Sequence, residues 1–102
     1  MRLTQTQLKA ITHIFPQYFL PHDTIWLFGS RVDDSKKRGD IDLYIETHYE
    51  TWPVVAQKQI DFLVALKKEI GDQQIALIIH PLSNSQKRPI YDEAKQTGIQ
   101  LI

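Results

Sequence analysis

The stretch Trp26-Leu27-Phe28-Gly29-Ser30 … Gly39-Asp40-Ile41-Asp42-Leu43-Tyr44-Ile45 decides the reading of this chain. Residues 24–28 are an apolar run of strand length, and Gly29-Ser30 ends it abruptly. Nine residues follow, Arg31 to Gly39, polar and charged enough for a surface loop or a short helix. From Asp40 to Glu46 the sequence alternates: Ile41, Leu43 and Ile45 on one side, Asp40, Asp42, Tyr44 and Glu46 on the other. Period-two alternation predicts a half-buried strand, here with a carboxylate-bearing face.

Working outward, Thr4 and Gln7 have the spacing of a capping box, and Leu3 and Leu8 that of a hydrophobic staple. Leu8, Ile11, Ile14, Phe15 and Tyr18 continue as a helical stripe, which Pro16 should end or kink. Pro21-His22-Asp23 reads as a turn. On the other side, a helix is expected from about residue 53 to residue 70, capped by Gly71, with Ala56, Ile60, Leu63 and Ile70 as its inner stripe, helped by Phe62 and Leu66. Residues 75–79 are continuously apolar, as in a strand covered on both faces. A last helix is expected from Pro89 to Gly98, and a short strand over 99–102. The order α-β-β-α-β-α-β implies one α/β (α+β) domain over residues 1–102, with a mixed sheet and helices packed on it in two or three layers.

Asp40 and Asp42 are the first candidates for chemistry. Residues i and i+2 of a strand share a face, roughly 6.5–7 Å apart. Two carboxylates so placed repel each other, and a hard divalent cation such as Mg²⁺ removes that cost while taking substrate phosphates as further ligands. Gly29-Ser30 offers the complement. A strand ending at glycine lets backbone N–H groups approach a phosphate closely, a helix turn opening at Ser30 would favour an anion, and Arg31 could balance further negative charge. No Gly-Lys-Ser/Thr ending is present, so this is not a Walker A loop.

Composition narrows the classes. With 12 basic and 12 acidic residues the formal charge is zero, which disfavours a general nucleic-acid binder. The basic clusters Lys36-Lys37-Arg38, Lys67-Lys68 and Lys87-Arg88 read as solvated surface. The absence of cysteine excludes disulfides, zinc thiolates and thiol catalysis. Neither a signal-like N-terminus nor an apolar run of membrane-spanning length is present, so a soluble, cytoplasmic protein is expected.

Trp26-Leu27-Phe28-Gly29-Ser30-Arg31 followed by Gly39-Asp40-Ile41-Asp42-Leu43-Tyr44-Ile45 resembles the signature of the minimal nucleotidyltransferases of the DNA polymerase β superfamily. The likeness is strongest over residues 24–46, and the element order extends it across nearly the whole chain. It implies a polymerase β-like nucleotidyltransferase fold. It also implies that Gly29, Ser30 and Arg31 hold the triphosphate of ATP, and that Asp40 and Asp42 are catalytic and bind Mg²⁺. Many such proteins accompany a small helical protein of the HEPN type, often an RNase toxin, and some act as antitoxins by transferring AMP from ATP to a tyrosine of that partner. The resemblance therefore implies AMPylation within a toxin–antitoxin pair.

Two positions depart from the family pattern. Nine residues separate Ser30 and Asp40, slightly fewer than in AMP-transferring antitoxins. The third carboxylate expected in the strand after the long helix falls on Ala76, which can neither ligate metal nor deprotonate an acceptor. Asp72 lies a few residues earlier and reads as a cap or turn residue; Glu46, about 13 Å along the strand from Asp42, is too far to share an ion. A contact-only module that neutralises a helical partner therefore stands as the alternative. Template- or primer-directed addition is the weakest reading, since larger members carry extra domains for it.

His80 reads as a structural or surface histidine, and His13, His22 and His48 show no metal-like spacing. Trp26 is expected in the core. For Trp52 and Tyr49, base stacking, a partner surface and plain packing are all open.

Overall fold

The computed structural model describes residues 3–29 and 40–102. Three helices, α1 (Gln5–Tyr18), α2 (Trp52–Ile70) and α3 (Pro89–Thr97), pack on four strands, β1 (Thr24–Phe28), β2 (Ile41–Thr47), β3 (Ile75–Pro81) and β4 (Ile99–Gln100). The sheet order is β3-β2-β1-β4. β1 runs antiparallel to β2 and to β4, whereas β2 and β3 are parallel. Parallel neighbours need a long crossover, and α2 supplies it. The molecule is a single α+β domain with a mixed sheet, in the element order expected from the sequence.

Local chemistry accounts for the helix ends. The Thr4 side chain accepts from the Gln7 backbone N–H at 3.0 Å, and the Thr4 N–H donates to Gln7 Oε1 at 3.0 Å. This capping box satisfies two otherwise orphaned donors. Thr4→Ala is expected to cost about 1 kcal/mol, measurable as a small drop in the urea midpoint. Pro16 does not end α1: it sits in the last turn, and the helix closes when the Phe19 N–H reaches Phe15 O at 3.1 Å. Only one intrahelical bond is forfeited there, which burial of Ile11, Ile14 and Phe15 outweighs. Gly71 ends α2 at φ 84°, its N–H reaching Lys67 O at 2.9 Å.

Strand alternation sorts the core into two layers. Ile25 and Leu27 of β1, Ile41, Leu43 and Ile45 of β2 and Ile79 of β3 pack with Ile11, Ile14 and Phe15 of α1 and Val55, Phe62 and Leu66 of α2. On the opposite face Trp26, Phe28 and Tyr44 meet Tyr91 and Ala94 of α3, so the layers are α1/α2, sheet, α3. Trp26 is buried as expected.

Two expectations about packing are corrected. Ala56 and Ile60 do not lie on the inner stripe of α2; both are exposed, and Val55, Phe62 and Leu66 carry that face. The helix has apolar residues on nearly all sides, and the arrangement observed buries its two bulkiest side chains of that register, Phe62 and Leu66, at 0 % exposure. β3 is not covered evenly on both faces. It is the outer strand, Ala76 is exposed, and α3 reaches it only from Ile78 onward, where Ile78 and His80 meet Tyr91.

Candidate functional site

β1 delivers Gly29 to the end of the sheet where β2 begins. In the antiparallel register Phe28 pairs with Asp42, so the residue after Phe28 lies beside the Asp42 side chain. Gly29 adopts φ +75°, a left-handed conformation natural to glycine. A Cβ added to Gly29 would stand 3.1 Å from Asp42 Cγ and 3.3 Å from Asp42 Cβ, and would overlap Asp42 Oδ2. The carboxylate thus occupies the space that a side chain at Gly29 would take. Gly29→Ala is expected to cost roughly 1–2 kcal/mol through its backbone conformation alone, and to swing the Asp42 carboxylate off the turn. Thermal melts would measure the first effect and loss of ATP-induced stabilisation the second.

Asp40 precedes β2 and is exposed; Asp42 is half-buried. Burial raises the Asp42 pKa from its ordinary value, and the negative charge of Asp40 raises it further. The two acids are therefore close enough to feel each other. Such a pair gains from a nearby cation. Among the described residues no group of three or more His, Cys, Asp or Glu side chains converges as a metal cage. A two-carboxylate set suits a hard ion that takes its remaining ligands from phosphates and water rather than from the protein.

The structure brings Gly29, Asp40 and Asp42 together. Ser30 and Arg31, and the cluster Lys36, Lys37 and Arg38, lie outside the described residues. Ala76 pairs with Asp42 in the parallel β2–β3 register. The neighbouring strand thus presents a methyl group beside the acidic pair. Asp72 is exposed in the connection between α2 and β3, before the strand starts.

Glu46 faces the same side of the sheet at the far end of β2, where it is already engaged. The Tyr44 hydroxyl donates to Glu46 Oε2 at 2.9 Å, and Lys95 Nζ lies 3.2 Å from the same oxygen. His80 Nδ1 lies 3.1 Å from the Tyr44 hydroxyl oxygen. Burial, then the bond to Glu46, pushes the Tyr44 pKa up, and the phenol stays a neutral donor. The His80 ring stacks on Tyr91 at 4.0 Å between centroids. Beside this cluster lies a cavity of about 170 Å³ that Lys87, Arg88 and Asp92 also line. Sequence reading missed the cluster because its key pairing, Glu46 beside His80, exists only through the β2–β3 register. His80 is half-buried and is held in this cluster by Tyr44 and Tyr91.

Tyr49 is a packing residue: its hydroxyl donates to Tyr18 O at 3.2 Å and its ring lies against Phe19. Trp52 is 54 % exposed. No helix among the described residues is long and apolar enough to cross a membrane. Comparison of the sequence with family models and with curated proteins finds no match.

Proposed function

We propose that this chain is a Mg²⁺-dependent nucleotidyltransferase of the minimal, polymerase β-like type, acting as an antitoxin that transfers AMP from ATP to a tyrosine hydroxyl of a HEPN-type partner. The observation that carries the reading is the placement of the Asp42 carboxylate in the space left by the missing side chain of Gly29, with Asp40 close enough to raise its pKa. An acidic pair and a phosphate-compatible turn then occupy one end of one sheet. The resemblance over residues 24–46 supplies the reaction class.

Asp40 and Asp42 would hold the ion, which when bound neutralises charge on the triphosphate. Gly29, lacking a side chain, leaves room for the Asp42 carboxylate at the end of β1, so an ion held by Asp42 would lie beside the turn to which the resemblance assigns the triphosphate. The acceptor oxygen bonds to the α-phosphorus in line with the departing pyrophosphate, and the bond from that phosphorus to the β-phosphate oxygen breaks. Ala76 cannot take the acceptor proton and Glu46 is committed to Tyr44 and Lys95. The proton therefore leaves to water or to the partner, and the rate relies on positioning more than on general-base catalysis.

The test is to incubate the chain and its helical partner with ATP and Mg²⁺ and to look for an adenylyl adduct on the partner by mass spectrometry. Ala76, in register with Asp42, favours a second reading: a nucleotidyltransferase-fold module that neutralises the partner by contact alone. Partner inhibition that persists with Asp40→Ala and Asp42→Ala combined, without any covalent mark, would select that reading.

A further inference from the structure

α2 carries a second apolar row that the core does not use. Trp52, Ala56, Ile60 and Val64 recur every fourth residue and all are exposed: Trp52 by 54 %, Ile60 by 56 % and Val64 by 51 %. Four apolar residues aligned in this way form a ridge about 18 Å long on the solvent side of one helix. A single exposed valine needs no explanation, but a continuous apolar ridge is the mark of a surface that meets another protein.

We propose that this ridge is a self-association surface, occupied by α2 of a second copy of this chain in antiparallel orientation. The row is self-complementary about a point midway between Ala56 and Ile60. Under a two-fold axis there, the small Ala56 of one copy receives the large Ile60 of the other, and Val64 meets Trp52. A two-fold interface requires such reciprocity, since each contact occurs twice. The charges agree. The basic end of the ridge, Lys67 and Lys68, comes beside the start of the other copy's helix, where Glu50 stands exposed and no acid of the first helical turn is present to compete. Ridges of fourth-residue spacing interlock at about 50°, which concentrates the contact on the Ala56–Ile60 pair. One helix pair covers less than the roughly 1,600 Å² of a standard interface, so the dimer is weak and depends on protein concentration.

Sedimentation equilibrium on the full chain, from low-micromolar to near-millimolar concentration, tests the proposal. The wild type should show a reversible monomer–dimer equilibrium. Ile60→Asp combined with Val64→Glu should be monomeric throughout with an unchanged melting curve, since both side chains already face solvent. Lys67→Glu with Lys68→Glu should weaken the dimer by roughly five-fold, the size of two symmetric rim ion pairs, and adding Glu50→Lys should restore it. A wild-type chain that stays monomeric, including one whose ridge binds only a different protein, overturns the proposal. A dimer that survives the Ile60/Val64 double substitution does the same. Neither result touches Asp40 or Asp42, so the reading of the acidic site stands or falls separately.

Discussion

Asp42→Asn is expected to abolish Mg²⁺-dependent adenylyl transfer, by about 10³-fold or more, while leaving the fold intact. The size follows from removing a carboxylate whose interaction with a metal–phosphate assembly is worth several kcal/mol, at 1.36 kcal/mol per tenfold in rate. The same substitution makes a stability prediction of opposite sign. Burial and Asp40 raise the Asp42 pKa in the folded chain. The fold therefore prefers the protonated acid. The stability that Asp42 contributes is fully present below its unfolded-state pKa and is lost as pH rises through the raised, folded value. At neutral pH without divalent cation the wild type carries that cost, and the uncharged amide of the variant does not. Melting curves should show the variant at least as stable as wild type at neutral pH, with the difference vanishing in acid. Mg²⁺ should raise the wild-type melting temperature more than the variant's. Undiminished transfer by the variant would remove the acidic pair from the mechanism. A variant that melts well below wild type at neutral pH would instead show that the carboxylate holds the fold together.

The legible parts of this chain are those governed by local rules. The alternation from Ile41 to Ile45 assigned one face to the core, and Ile41, Leu43 and Ile45 are each buried at 0 % exposure there. Thr4 and Gln7 announced the start of α1 because a capping box involves only residues three apart. The site was partly legible for the same reason. The i, i+2 rule places Asp40 and Asp42 together, and the strand-ending glycine marks the turn beside them. What the spacing did not contain is the antiparallel register that sets Phe28 opposite Asp42, and hence Asp42 against Gly29.

Where long-range choice decides, local reading failed. α2 offers two apolar faces of similar spacing, and sequence periodicity cannot rank them. The choice depends on what faces the helix, and Phe62, against Phe15 and Phe19 of the α1 segment, wins over Ile60. The continuous apolar run of β3 likewise cannot say how far α3 will extend over it. Ala76 is the exposed consequence, at the place where a third carboxylate would have completed the acidic group.

The largest loss of stability is expected from Asp23→Ala, at a residue that reads in the sequence as part of a turn. Asp23 is 3 % exposed. Its Oδ2 accepts from the Leu20 N–H at 2.9 Å and from the Thr47 hydroxyl at 2.6 Å, and its Oδ1 lies 2.8 Å from the His48 backbone nitrogen and 2.7 Å from His48 Nδ1. One carboxylate thus ties the end of β2 to the loop that launches β1, next to His22 with its unfavourable φ of 74°. Alanine would leave the Leu20 N–H, the buried Thr47 hydroxyl and the His48 N–H without their acceptor. Losing the acceptor of one buried and two part-buried donors costs roughly 3–5 kcal/mol in total. That is a large share of the roughly 5–15 kcal/mol that holds a typical domain folded. At about 4–8 °C per kcal/mol the melting temperature should fall by roughly 12–40 °C. Asp23→Asn, which keeps one acceptor oxygen, should fall between the two. The cluster sits at the opposite end of the β1–β2 pair from Gly29 and Asp42, about 17–20 Å away along the strands. Below its lowered melting point the variant should therefore transfer AMP at the wild-type rate per folded molecule. A loss of stability under about 1 kcal/mol, no more than one ordinary hydrogen bond, would mean that water replaces the carboxylate; a full loss of transfer in folded protein would mean that the two ends of the hairpin are coupled.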